Sequence, residues 1–552
     1  MKKLLILIMA ALPMLAMAQT NVKVDSVGKL SSQLGDQKYK IADLKISGAL
    51  NGNDLKLLKD IVTRTKVDKK NPGECLVTSI DLSGVTIVES NEGLKTQANE
   101  LPKGLFSGAK KLTKAVLPTS IKTISEECFC GCENLVDVTI PASVTVIGVE
   151  AFQDCESLAA ITLPAGLKKI GNEAFEGCKS LVSIQLPKGL EEITPQAFSK
   201  CKSLKTINIP EGVKKIGGSA FKSCESLTSI VLPITVKEIE SAAFDGCKEL
   251  KTIQMASVAE VGPSAFSGCK SLTAAKFDKI SKLGQAAFGG CTSLQTVEMQ
   301  GDLSDINTAA FQNCESLTSI TVPASLKTIS SHAFEDCKAL TTIKLPAGLA
   351  KINDWAFGGC TSLRSIEIGS ALKNLGDHAF QKCINLETVT INGIIDEIET
   401  NVFKGCTSLR KVTLPNTVKR IGRNAFLECT MLSDINWPAA LQKIEDAAFE
   451  KCASLPSAVF PNGLQTIGGD AFKGCLQLAN VELPVTIKEL GGSAFQECKT
   501  LATVTINSPK PPKVSGDTFK GSNPIIYIPK GTMQVYAIDK KWAKQSGVKE
   551  KE

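Results

Sequence analysis

The sequence predicts a β-rich solenoid, a right-handed coil of about nineteen 23-residue rungs with parallel sheets and a cap at each end. Three observations carry this. Phenylalanine recurs between Phe106 and Phe519 at a step of 23 residues, apart from two steps of 22 (Phe244 to Phe266 to Phe288) and a last one of 24. Within a period, an alternating segment such as Leu204–Ile209 meets a proline turn and then a shorter apolar piece such as Val213–Ile216. Each period closes on Ala-Phe-x-x-Cys or a near variant. A fixed period of this length marks a unit that cannot bury its apolar face alone, so neighbours must stack.

Residues 1–18 come first. Lys2 and Lys3, the apolar run Leu4–Leu12 and the small-residue site Ala16-Met17-Ala18 read as a secretory signal peptide, with Gln19 as the new N-terminus. The first cysteine is Cys75, so no lipid anchor is expected at the cleavage site. No later apolar run approaches the ~18 residues of a membrane span. The expected location is therefore outside the cytoplasm: secreted, cell-surface-associated or periplasmic. Loss of the two leader lysines lowers the formal net charge of +7 to about +5. That mild, interspersed charge argues against nucleic acid as a partner. Only the tail (Lys540, Lys541, Lys544, Lys549, Lys551) is locally basic, and it reads as solvated.

Residues 19–100 break the rhythm. Ile41-Ala-Asp-Leu44-Lys-Ile46 alternates like a strand, Asn53 to Val62 has helical spacing behind a capping Asn, and a second strand is expected at Leu76–Leu82. One strand–helix–strand unit laid on the first rung would cover an otherwise open end. A separate ligand-binding domain is the alternative.

Residues 101–507 form the array. In Leu204–Ile209 the period of two turns Ile207 and Ile209 inward and Thr206 and Asn208 outward. A proline such as Pro210 closes the strand where its missing N–H costs no ladder bond. Gly217 ends the second piece, either for a positive φ or for close backbone approach. Ala-Phe-x-x-Cys reads as a helical or 3₁₀ turn that drops Phe into the core. Stacking at the ~4.8 Å strand spacing gives a rod or gentle arc roughly 90 Å long. Between Met255 and Asp302 the strand-closing prolines vanish and both 22-residue steps occur, so a local change of curvature or twist is expected at 253–299. Residues 508–552 hold a final rung without Cys and a C-terminal cap in which a short amphipathic helix with Tyr536 and Trp542 closes the end.

The pattern Leu-x-x-Ile-x-Ile-Pro…Ile-Gly-x-x-Ala-Phe-x-x-Cys resembles the BspA-type leucine-rich repeats of bacterial surface and secreted proteins. The strand–helix start and the closing Tyr527-Ile-Pro-Lys-Gly…Tyr536…Trp542 segment also resemble those of exported relatives. The resemblance implies a leucine-rich repeat coil and adhesion to host or bacterial proteins, without naming a ligand.

No catalytic, cofactor or metal site is expected. His332 and His378 share a repeat position but lie two rungs apart, roughly 10 Å, too far to share one zinc. Neither has a motif-defined nucleophile, and HExxH, GxSxG and phosphate-binding glycine loops are missing from the sequence. With Trp355 between them, the histidines form a candidate aromatic patch for a partner or sugar ring, or simply rings half-packed on their neighbours. Seventeen cysteines follow a Phe by three residues. One per rung suits structural thiols in a narrow corner better than zinc or complete disulfide pairing. Cys75, Cys128 and Cys130 depart from that pattern, and a Cys75–Cys130 bridge could pin the cap.

The large ordered surface is the outward strand face: Ser183, Gln185, Thr206, Asn208, Ser319, Thr321, Thr342, Lys344, Ser365, Glu367, Thr388 and Thr390. It reads as an extended binding face for a protein partner, from a host or a bacterial surface. The alternatives are a glycan-binding solenoid, a structural spacer without ligand, and the plain preference of Thr for exposed strands.

Overall fold

A computed structural model describes residues 19–64 and 75–552. The expected signal peptide lies outside the described residues. The chain divides into two compact units, Met1–Pro210 and Glu211–Glu552.

In the first unit, β1 (Thr20–Val24), α1 (Leu30–Leu34), β2 (Asp43–Leu50), α2 (Gly52–Thr63) and β3 (Ser79–Ile87) precede the rungs. The three strands run parallel and continue into the rung strands Lys114–Val116 and Asp137–Thr139 as one five-stranded sheet. Helix α2 starts on Asn51, whose side chain accepts the Asn53 and Asp54 N–H groups while Asp54 reaches back to the Asn51 N–H. Asp54 is buried and also accepts the Gly28 and Leu30 N–H groups, tying α1 to α2. The strand at 20–24 is absent from the sequence reading, because five residues with only Val22 and Val24 alternating carry little periodic signal. Backbone pairing to Leu44–Gly48 forms it.

A rung in either unit is two short parallel strands and a chain of turns. In the second unit, Ser365–Ile368, Thr388–Ile391, Lys411–Thr413 and Asp434–Ile435 make one sheet of first strands. Glu397–Ile398, Arg420–Ile421, Lys443–Ile444, Thr466–Ile467 and Glu489–Leu490 make one of second strands. Partners are 23 residues apart, so like side chains stack in columns. Consecutive core phenylalanines of this unit lie 5.0–5.6 Å apart, near parallel.

The Ala-Phe-x-x-Cys segment is not a helical or 3₁₀ turn. Residues two before and two after Phe have positive φ, as at Glu150 (54°), Asp154 (53°), Trp355 (59°) and Gly359 (72°). Two left-handed residues four apart interrupt any helical run. Alternate amides instead reach the next rung: Glu150 N–H to Asn172, Phe152 to Ala174 and Asp154 to Glu176, all at 2.7–2.9 Å.

The glycine that follows the second strand serves close approach rather than a positive φ. A Cβ on Gly171 would stand 2.4 Å from the Gly148 carbonyl carbon, and one on Gly284 2.3 Å from the Pro263 nitrogen.

At the 22-residue rungs the missing residue falls in the turn between the two strands. Their first strands are Thr252–Gln254 and Ala274–Phe277, with Met255 and Phe277 buried in place of a proline turn. Phe277 meets Phe288 edge-on at 6.1 Å. A shallow depression of about 590 Å³ lies over the second strands here, between Gly218 and Asn307.

The C-terminal end closes with α3 (Met533–Ile538) and a 3₁₀ turn at Trp542–Lys544. Tyr536 and Trp542 are buried, the hydroxyl bonded to the Ser508 carbonyl at 2.8 Å and the indole N–H to that of Pro512 at 2.6 Å. The basic tail is not simply solvated. Val548–Glu550 adds a strand to Ile525–Ile528, and the half-buried Lys551 donates to Asn507 at 2.7 Å.

Candidate functional site

The first-strand face is where the alternation puts it. Ser183, Gln185, Thr206 and Asn208 in the first unit are exposed, as are Ser319, Thr321, Thr342, Lys344, Ser365, Glu367 and Thr388 in the second, while Thr390 is half-buried. Ser183 pairs with Thr206, and Ser365 with Thr388, in register. Asn208 is committed to the fold: its amide accepts the Leu186 N–H at 3.0 Å and donates to the Leu186 carbonyl at 3.3 Å, repairing the ladder beside Pro187. The other residues of the face make no side-chain hydrogen bond among the described residues, leaving their groups open to solvent. Further along the same face, facing charges neutralise each other, as in Lys411–Asp434 at 2.8 Å.

The aromatic column is more ordered than its sequence suggests. The ring of Trp355 is parallel to His378 at 4.5 Å and to His332 at 6.3 Å. His378 therefore lies on one indole face, and His332 lies parallel on the other side but farther off. His332 Nδ1 pairs with Glu335 at 2.8 Å, and Glu335 also accepts from Gln312 at 2.7 Å. On the other side Asn424 donates to Asn401, and Asn401 donates to His378 Nε2 at 2.9 Å. That chain fixes the proton of neutral His378 on Nδ1, which is buried without a partner, as is Gln381 Oε1 in the same turn. Burial holds the His378 pKa below its usual value, against the pull of Asp377 and Asp354. Asn401 and Asn424 occupy the same repeat position, so the repeat alignment carries the signal that would have found them. Gly358 carries a different one: a Cβ there would meet Trp355 Cε3 at 2.7 Å, so this glycine makes room for the indole.

The cysteines are all free thiols. All seventeen of the column are buried, and within each unit the thiol donates to the carbonyl of the preceding rung's Phe, as Cys155 to Phe129 and Cys360 to Phe334, at 3.1–3.3 Å. The ends explain the rule. At the first position Ala109 has no earlier Phe of the array to reach, and at the last Ser522 makes the same bond to Phe495 at 2.7 Å. Burial pushes these thiols up, Cys132 and Cys314 to about 12. Cys75 and Cys130 form no bridge: Cys75 faces the Val62 carbonyl at 3.3 Å and Cys130 faces Gln153 at 3.4 Å.

Among the described residues no group of three or more His, Cys, Asp or Glu side chains is placed to hold a metal, and no helix is long and apolar enough to cross a membrane.

No curated protein matches the chain. Among solved structures, a leucine-rich repeat protein from Bacteroides ovatus is 25% identical, covering 74% of this chain and 87% of its own, with a TM-score of 0.46. A leucine rich cell surface protein from Faecalibacterium prausnitzii is 23% identical over 76% of this chain and 92% of its own, TM-score 0.30. A leucine rich repeat protein of T. pallidum is 42% identical over 21% of this chain and 57% of its own, TM-score 0.21. The family model described as BspA type leucine rich repeat region (6 copies) matches residues 99–228, 214–341, 327–456 and 442–534. Those matches span the array from its first rung to its last, and the chain belongs to the BspA-type leucine-rich repeat family.

Proposed function

We propose that this chain is an exported, non-catalytic binding protein that holds another protein, of a host or a bacterial surface, along its first-strand face. One observation carries the reading: the named residues of that face are exposed but for Thr390, stack in register and, Asn208 aside, make no side-chain bond among the described residues, so their hydroxyl, amide and charged groups are available to a ligand. Membership of a family of surface-type repeat proteins supports adhesion. Export rests on the leader sequence alone. Few Trp, Tyr or Arg anchors lie on the face, so affinity per rung is low and accumulates over many rungs or by multivalent display.

The glycan alternative needs an open aromatic ring on which a sugar can stack. One indole face of Trp355 is taken by His378 at 4.5 Å and His332 lies parallel on the other side at 6.3 Å, which gives that alternative little support at this patch.

The test is a series of internal deletions in whole rungs that keeps both ends of the chain, assayed against partners captured from host matrix and bacterial surfaces. Gradual loss of affinity with rung number supports the extended face. Abolition by one short deletion, with others silent, refutes it.

A further inference from the structure

We propose that the His332–Trp355–His378 stack is a second docking site, for a basic, lysine- or arginine-bearing segment of a partner protein. It shares with the strand-face reading only the premise that the ligand is a protein, and either can fail without the other.

The first ground is that the fold does not require these residues. The position two before Phe has φ between 50° and 60° from Glu127 to Ser493. Asn is suited to that left-handed conformation, and Asn401 and Asn424 occupy it. A tryptophan there is strained, and a bulky residue kept in such a conformation is grounds for a functional hypothesis.

The second ground is preorganisation. The indole is held between two parallel rings, with Gly358 making room for it, and the two imidazoles are fixed in turn by Glu335 and Asn401. Trp355 is half-buried, and its indole N–H has no acceptor among the described residues. A rigid, partly exposed Trp edge with a free donor has the character of an interface anchor, and a group already held in place loses little entropy on binding.

The third ground fixes the sign of the partner. Glu335 pairs with His332, and Asp354 and Asp377 act on His378, where Lys404 is the one opposing cation; no lysine or arginine lies within ion-pair distance of these three carboxylates among the described residues. Elsewhere carboxylates meet cations one rung away, as Glu315 meets Lys338 at 2.8 Å. Asp354 accepts the Asp377 N–H at 3.0 Å and Asp377 accepts the Thr400 N–H at 2.8 Å, each through Oδ1. That holds both carboxylates in place with Oδ2 remaining for a ligand. An Arg or Lys stem can lie along the indole edge while its cation meets Asp354 and Asp377.

The experiment is fluorescence anisotropy of labelled octa-arginine against the full chain, with octa-glutamate as control, at low and physiological salt. Trp355→Asn is the main variant, because Asn stands at the same place in two other rungs and should fold. The Asp354→Asn/Asp377→Asn double variant keeps both Oδ1 acceptors. Expected are salt-sensitive binding of octa-arginine by the native chain, none of octa-glutamate, and a loss of about tenfold or more in each variant. Thr342→Val, on the strand face, should leave binding unchanged. Equal binding by Trp355→Asn and the native chain, loss in Thr342→Val, or no octa-arginine binding at all would overturn the proposal. The strand-face reading stands or falls separately, on the rung deletions.

Discussion

Phe357→Ala tests whether each rung is held by its two neighbours and by little else. Phe357 is fully buried, with Phe334 and Phe380 each 5.2 Å away and near parallel. Truncating a buried Phe costs about 3–5 kcal/mol through lost burial and the residual cavity. Within that sum, each aromatic contact contributes about 0.5–1.5 kcal/mol. Phe519 has only Phe495, at 5.6 Å, and is 6% exposed, so Phe519→Ala should cost less by about one such contact. A global melt is the wrong assay, because a long repeat array does not unfold as one cooperative unit. Native-state hydrogen exchange reads the rungs separately. The amide of Phe357, bonded to the Ala379 carbonyl at 2.8 Å, should lose protection by about a hundredfold to a few thousandfold. The loss should fade within a few rungs on either side. Equal losses in the two variants, or a uniform loss over the whole chain, would refute nearest-neighbour stacking.

Three further outcomes are expected. Cys360→Ser keeps the hydrogen bond to Phe334, as Ser522 does to Phe495, whereas Cys360→Ala should be about 0.5–1.5 kcal/mol less stable than the serine variant by exchange in that rung. Asp336 holds a φ of 56° where other rungs have Gly359, Gly405 or Gly474, and burial and Glu335 raise its pKa. Asp336→Gly should therefore stabilise its rung by about 1 kcal/mol, seen as slower local exchange. His378 is held neutral. Its folded pKa is depressed by burial, so its contribution is complete above the unfolded value of about 6.5 and is lost as pH falls below it towards the folded value. Asp377 and Asp354 oppose that depression and Lys404 adds to it. Exchange near Phe380 should accelerate on acidification in the native chain, and His378→Asn, which extends the Asn401–Asn424 chain, should remove that dependence.

The repeat alone determined the coil, its period, which residues enter the core and which face outward. One apolar residue type per column is what stacking demands, and nineteen copies make the demand visible. Ile207 inward and Thr206 outward follow from a period of two, whatever the neighbours are. The partners of each column were decided only by the tertiary structure, because every decisive contact crosses from one rung to the next. The thiol of Cys155 needs the Phe129 carbonyl, 26 residues away, before it becomes a donor rather than a small apolar filler. The turn at Ala-Phe-x-x-Cys takes left-handed residues, and alternate amides bond to the next rung while the others close within the turn, a choice that local propensity cannot express. The repeat places Trp355 between His332 and His378, but that the three rings lie parallel, with His378 4.5 Å from the indole, is decided by the stacking of the rungs.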